Sequence, residues 1–142
     1  MKDKFTIITE DYNTATGKTI VAINTQYGVF YGETTPDEID AKNPSIFQGN
    51  AIALYKALRK FAKHLLLITK EKRKVLQQIY TQISYNGDNL GSHECCIIRK
   101  TIDSLTKNIE HYKKTIEKLS KSIVERIESR DKILKKYLDN NK

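Results

Sequence analysis

The residues whose type and spacing suggest chemistry are the arginines. Lys outnumbers Arg twenty to five, so each guanidinium marks a place where a planar fork does what an ammonium cannot. Arg126 and Arg130 are separated by four positions, one helical turn, and two such forks can grip two phosphates bidentately. In a partly desolvated setting each charged contact contributes about 1.5–3 kcal/mol. Arg99 lies about 40 Å up the same helix at 1.5 Å per residue, too far to share a pocket within one chain. An antiparallel partner with its two-fold near Tyr112 would bring Arg99 of one copy to Arg126 and Arg130 of the other, framing two equivalent basic pockets. Tyr27, Phe30, Tyr31 and Tyr112 are available to stack on a base, although packing in a sheet or seam is the ordinary role of each. The Asn43–Lys60 stretch also offers a helix start and Gly49 to an anion.

Other constellations are missing. There is no GxSxG, HExxH, GxxxxGK[ST] or Rossmann glycine pattern, so no nucleophile, metal or phosphate-loop chemistry is indicated. The expectation is a protein that is not an enzyme and carries no cofactor or metal. His64, His93 and His111 have no carboxylate or metal pattern around them. Cys95 and Cys96 are adjacent, so on a helix they diverge by about 100° and cannot form a CxxC-type pair. They read as reduced, partly buried thiols of a cytoplasmic protein.

The charge is unevenly distributed. Residues 1–50 carry four basic and seven acidic groups, net -3, whereas residues 51–142 carry 21 basic and ten acidic groups, net +11. A basic half attracts phosphorylated small molecules, nucleic acid or an acidic partner surface. Much of this charge is interleaved Lys and Glu at helical pairing distance, which is what a solvated helix face looks like. No apolar run approaches the ~18 residues a membrane span requires, and no secretory signal is visible in MKDKFTIITE.

These residues need elements to hold them. The expected fold class is α+β, a small antiparallel β-meander followed by two long helices in an antiparallel hairpin, oligomerising through the helices. With 142 residues the chain is expected to be a single domain: meander 1–34, loop or short helical turn 35–47, first helix 48–85, connector 86–91, second helix 92–138. Lys4–Thr9, Lys18–Asn24 and Tyr27–Glu33 are rich in β-branched and aromatic residues, and turn residues separate the first two. Three strands cannot bury both faces and need a cover. Thr35, Pro36 and Glu38 have the pattern of a helix start. In the first helix the predicted apolar series is Leu54, Leu58, Phe61, Leu65, Ile68, Val75, Ile79 and Ile83, with Lys72 as its polar member.

The second helix has the cleaner pattern. Ile98, Ile102, Leu105, Ile109, Tyr112, Ile116, Leu119 and Ile123 alternate steps of four and three, a heptad seam. Continuing the rule places Arg126 and Arg130 on the stripe. A stutter would instead move the stripe to Ile127, Leu134 and Leu138 and turn both arginines outward. A helix of about 70 Å is too long for a small sheet and a shorter helix to cover, so more than one copy is expected.

The stretches KTIVAINTQYGVFYGE, PDEID and NAIALYKALRKFAK, followed by a long helical hairpin, resemble the Thoeris anti-defence sponge proteins of phages, of the first-described type. The likeness covers the whole layout and contains no diagnostic motif. It implies an oligomer in the host cytoplasm that sequesters, without cleaving, a cyclic ADP-ribose signal made by bacterial TIR enzymes. Some members are thought also to hold cyclic oligonucleotides in separate sites. The family pocket uses arginines from a long helix with an aromatic and an Asn, onto which Arg126, Arg130, Arg99 and Asn108 map as ligand-binding residues. No aromatic stands at the equivalent distance upstream on the second helix, a departure from the pattern. The alternatives are a basic coiled-coil protein that binds nucleic acid, or one that inhibits a host protein by direct contact.

Overall fold

A computed structural model describes residues 4–12, 18–34, 46–86 and 92–140. The elements are β1 (Phe5–Tyr12), β2 (Thr19–Thr25), β3 (Gly28–Thr34), α1 (Ile46–Asn86) and α2 (Ser92–Asn140). This is the expected α+β order, three antiparallel strands in the sequence β1-β2-β3 followed by two long helices. The predicted turn at Thr35–Glu38 and the connector after Asn86 lie outside the described residues. No helix of the described residues is long and apolar enough to cross a membrane.

The chain divides into two compact units. One contains the sheet, α1 through Phe61 and α2 from Thr115, and the other contains Ala62–Lys114.

In the first unit β2 and β3 form a hairpin around Gln26 and Tyr27, with Thr25 opposite Gly28. The Thr25 hydroxyl accepts from the Tyr27 amide at 3.1 Å and donates to the Gly28 carbonyl at 2.9 Å. Gly28 has φ +112°, a conformation that side-chain-bearing residues rarely adopt. Alternation then sends Thr19, Val21 and Ile23 of β2 to one face, beside Thr34, Gly32 and Phe30 of β3. That face is covered. Val21, Ile23, Ile52, Ala53, Ala57 and Phe61 are fully buried, and the Phe30 and Phe61 rings meet at 5.4 Å. Burying each of the larger side chains contributes about 1.5–3 kcal/mol.

α1 can approach this closely because small residues recur where it meets the sheet. Gly49, Ala53 and Ala57 follow one another at helical spacing. A Cβ added to Gly32 would lie 1.8 Å from the Ala53 carbonyl oxygen, and one added to Gly49 would lie 2.8 Å from Thr19 Oγ1. At the margin Lys56 donates to the Glu33 carbonyl at 3.1 Å, and an exposed Lys18–Glu33 ion pair at 3.2 Å contributes little. On α2, Ile123 is buried, and Arg59 Nη1 donates to Ser120 Oγ at 3.4 Å.

In the second unit α1 and α2 run antiparallel. Leu65 and Ile109 are buried, with Leu76, Tyr80, Ile98, Ile102, Leu105 and Tyr112 half-buried. Arg73 donates to Thr106 Oγ1 at 3.4 Å and Arg99 to Tyr80 Oη at 2.8 Å. From one bridge to the next, each helix advances by one heptad, in opposite directions. Thr69 is also buried, its hydroxyl donating to the Leu65 carbonyl at 2.7 Å.

The predicted seam of α2 is the covered one, since none of its eight positions is exposed. The predicted seam of α1 is corrected. Phe61 and Leu65 are buried, but Val75 and Ile79 are 51% and 41% exposed, and Lys72 is exposed as well. The covered stripe passes instead through Ile52, Ala53, Ala57, Phe61, Ala62, Leu65 and Thr69, continuing to the half-buried Arg73, Leu76 and Tyr80. Ala and Thr occupy places where a search for large apolar side chains expects Leu or Ile.

Candidate functional site

Each unit joins an arginine of α2 to a tyrosine of α1. In the first, the Arg126 guanidinium lies over the Tyr55 ring, 5.8 Å from its centroid. A cation over a phenol face is attracted by the ring quadrupole, by about 0.5–1 kcal/mol at exposed sites and more when desolvated. Arg126 and Ile127 are both half-buried. The stripe therefore broadens here to cover both, and the stutter does not expel Arg126 to open solvent. Tyr55 faces α2 because it lies two positions beyond Ala53, about 200° around the helix from the sheet-facing side.

In the second unit Arg99 meets Tyr80 twice. Nη2 donates to the Tyr80 hydroxyl at 2.8 Å, and the guanidinium carbon lies 5.8 Å from the ring centroid. Acceptance of that hydrogen bond by Tyr80 is the largest cause raising the Arg99 pKa above its ordinary value, with Cys96 and Asp103 adding in the same direction. Arg99 is exposed and keeps its charge throughout the physiological range. The bond occupies one of the five N–H donors that a guanidinium carries, so the fork is oriented by the phenol with donors left over.

The other predicted site residues are placed as follows. Asn108 is exposed on α2. It is nine positions beyond Arg99, about a half-turn out of phase with it, so the two do not converge. Arg130 belongs to α2, and its side chain lies outside the described residues. Of the predicted stacking aromatics, Phe30 packs on Phe61 and Tyr112 is half-buried beside His111. Tyr27 and Tyr31 are exposed, at 38% and 56%. Cys95 is half-buried, whereas Cys96 is exposed rather than partly buried; both are free thiols. Among the described residues no group of three or more His, Cys, Asp or Glu could hold a metal ion.

Sequence reasoning missed Tyr55 and Tyr80. The stacking aromatics it offered were Tyr27, Phe30 and Tyr31 of the β2–β3 hairpin and Tyr112 of α2, whereas both tyrosines come from α1. A hairpin pairs residues equidistant from its connector, and Tyr80 and Arg99 stand at nearly equal distances from the Gly87–Gly91 segment. That count was the available signal.

A planar cation held against a phenol is suited to an anionic group with an aromatic base beside it. The guanidinium edge takes phosphate oxygens bidentately and the ring offers a stacking face. Comparison with protein-family models, with curated proteins and with solved structures finds no match for this chain.

Proposed function

We propose that this chain is a non-catalytic phage counter-defence protein that binds and sequesters a cyclic ADP-ribose-type nucleotide and so blocks host immune signalling. The observation that carries this reading is the pairing of α2 arginines with α1 tyrosines, Arg126 with Tyr55 and Arg99 with Tyr80. Arginine would clamp the phosphates while tyrosine stacks on the base. The resemblance supplies the ligand class and the host-cytoplasmic setting, and self-association through the helices belongs to the same proposal.

Native mass spectrometry with cyclic ADP-ribose isomers, cyclic oligonucleotides and short duplex DNA tests it. The expected result is a stoichiometric complex with a cyclic nucleotide and intact ligand recovered after denaturation. Recovery of a cleaved product, or binding of none of these nucleotides, overturns it.

A second reading is favoured by the net +11 of residues 51–142, which suits a nucleic-acid backbone. It requires affinity for duplex DNA to fall with salt at a log–log slope of about -0.9 per phosphate contacted. The interleaved acids of α2, among them Asp103, Glu110 and Glu117, would oppose such tracking.

A further inference from the structure

Among the described residues β1 is the outer strand of the sheet, hydrogen-bonded to β2 alone. Every residue from Lys4 to Asp11 is exposed, including Phe5, Ile7 and Ile8 at 37%, 46% and 54%. An open strand edge with an apolar centre is a template for another strand, and proteins usually blunt such edges with charges or bulges. This strand has both devices, and their placement is self-complementary.

The bulge is the informative feature. Ile7 opposes Ile23 whereas Thr9 opposes Ala22, so Ile8 is the extra residue. Directly opposed residues share a face of the sheet. Phe5, Ile7 and Glu10, which oppose Thr25, Ile23 and Val21, therefore lie on one face. Thr6, Thr9 and Asp11, which oppose Asn24, Ala22 and Ile20, lie on the other. Lys4 precedes Phe5 and falls by alternation on the face of Thr6 and Asp11. In an unbulged strand Lys4 and Asp11, an odd number of positions apart, would sit on opposite faces.

We infer that β1 pairs antiparallel with β1 of a second copy of this chain, about a two-fold axis perpendicular to the sheet between Ile7 and Ile8. In this register Lys4 opposes Asp11, Phe5 opposes Glu10 and Thr6 opposes Thr9, each pair on a common face. The two-fold repeats each pair, giving two Lys4–Asp11 contacts. Parallel in-register pairing would instead set Glu10 and Asp11 against their own copies, which like-charge repulsion disfavours. The end charges thus select an antiparallel copy of the same strand over a parallel one. This surface contains none of the arginines or tyrosines of the proposed nucleotide site, and the changes at Lys4 and Asp11 separate it from the self-association through the helices that belongs to that reading.

Sedimentation equilibrium of the full chain tests it with Lys4→Glu, Asp11→Lys and the double variant carrying both changes. Both positions are exposed, and circular dichroism checks that each variant folds. Each single change places like charges opposite one another twice and is expected to weaken the association about tenfold. The double variant restores opposite charges and returns the association to within about threefold of the wild type. The inference is overturned if the wild type shows no association at high micromolar concentration, or if the single changes leave it unaltered. It is also overturned if the double variant stays as weak as the singles, the outcome expected when Lys4 and Asp11 do not face one another across the two copies.

Discussion

The Cβ that Gly32 lacks would lie 1.8 Å from the carbonyl oxygen of Ala53 and 2.6 Å from the amide nitrogen of Ala57. Strand and helix therefore meet backbone to backbone, and no rotamer change can relieve an added methyl group there. Gly32→Ala is expected to destabilise the fold by about 3 kcal/mol or more, at or beyond the upper end of ordinary overpacking, as read from urea unfolding. Gly49→Ala is the contrasting control. Its new methyl would press on the Thr19 hydroxyl rather than on backbone, and the helix gains about 1 kcal/mol from replacing glycine. Its net effect should stay within about 1 kcal/mol of zero.

In the proposed site Arg126 would clamp and Tyr55 would stack, and mutation separates the two roles. Arg126→Lys keeps the charge but loses the fork, so titration calorimetry should show nucleotide affinity at least tenfold weaker. Arg126→Glu should abolish binding. Tyr55→Phe keeps the ring and should be neutral, whereas Tyr55→Ala should lose about 1–3 kcal/mol of binding energy. Unchanged binding by Arg126→Glu in a folded protein would remove this site from the proposal.

Tyr80 orients Arg99 by a hydrogen bond and by its ring. Tyr80→Phe removes only the first. It is expected to leave the helix content unchanged by circular dichroism while weakening nucleotide binding several-fold. Arg99 keeps its charge at all accessible pH values, because the Tyr80 contact raises a pKa that is already high. No step in affinity between pH 6 and 9 should therefore trace to this residue.

Thr69 is a polar residue on the covered stripe of α1, and its hydroxyl is satisfied within its own helix. Thr69→Val replaces that hydroxyl with a methyl group of similar size and leaves no partner on another element unpaired. Stability should change by less than about 1 kcal/mol, with stabilisation the expected sign. A larger loss in thermal unfolding would mean that the hydroxyl serves something beyond the Leu65 carbonyl.

The sequence made the element order and the α2 seam legible, because eight apolar residues from Ile98 to Ile123 step by four and three without interruption. The α1 seam was harder. Phe61–Ile68 is apolar on several sides, so large side chains alone do not mark the inward one, and the true stripe uses Ala53, Ala57 and Thr69. The arginines were legible as rare residue types. Their tyrosine partners were not, because a partner across a hairpin is set by the antiparallel register, and periodicity within one helix carries no information about it.

The close seat of α1 on the strands has an effect beyond holding the sheet. Gly32 lets α1 settle against β3 backbone to backbone, much as a keyway seats a shaft, and in that seat Tyr55 lies under the Arg126 guanidinium. A single methyl group placed at Gly32 is expected to unseat the shaft, and with it the cation–aromatic contact.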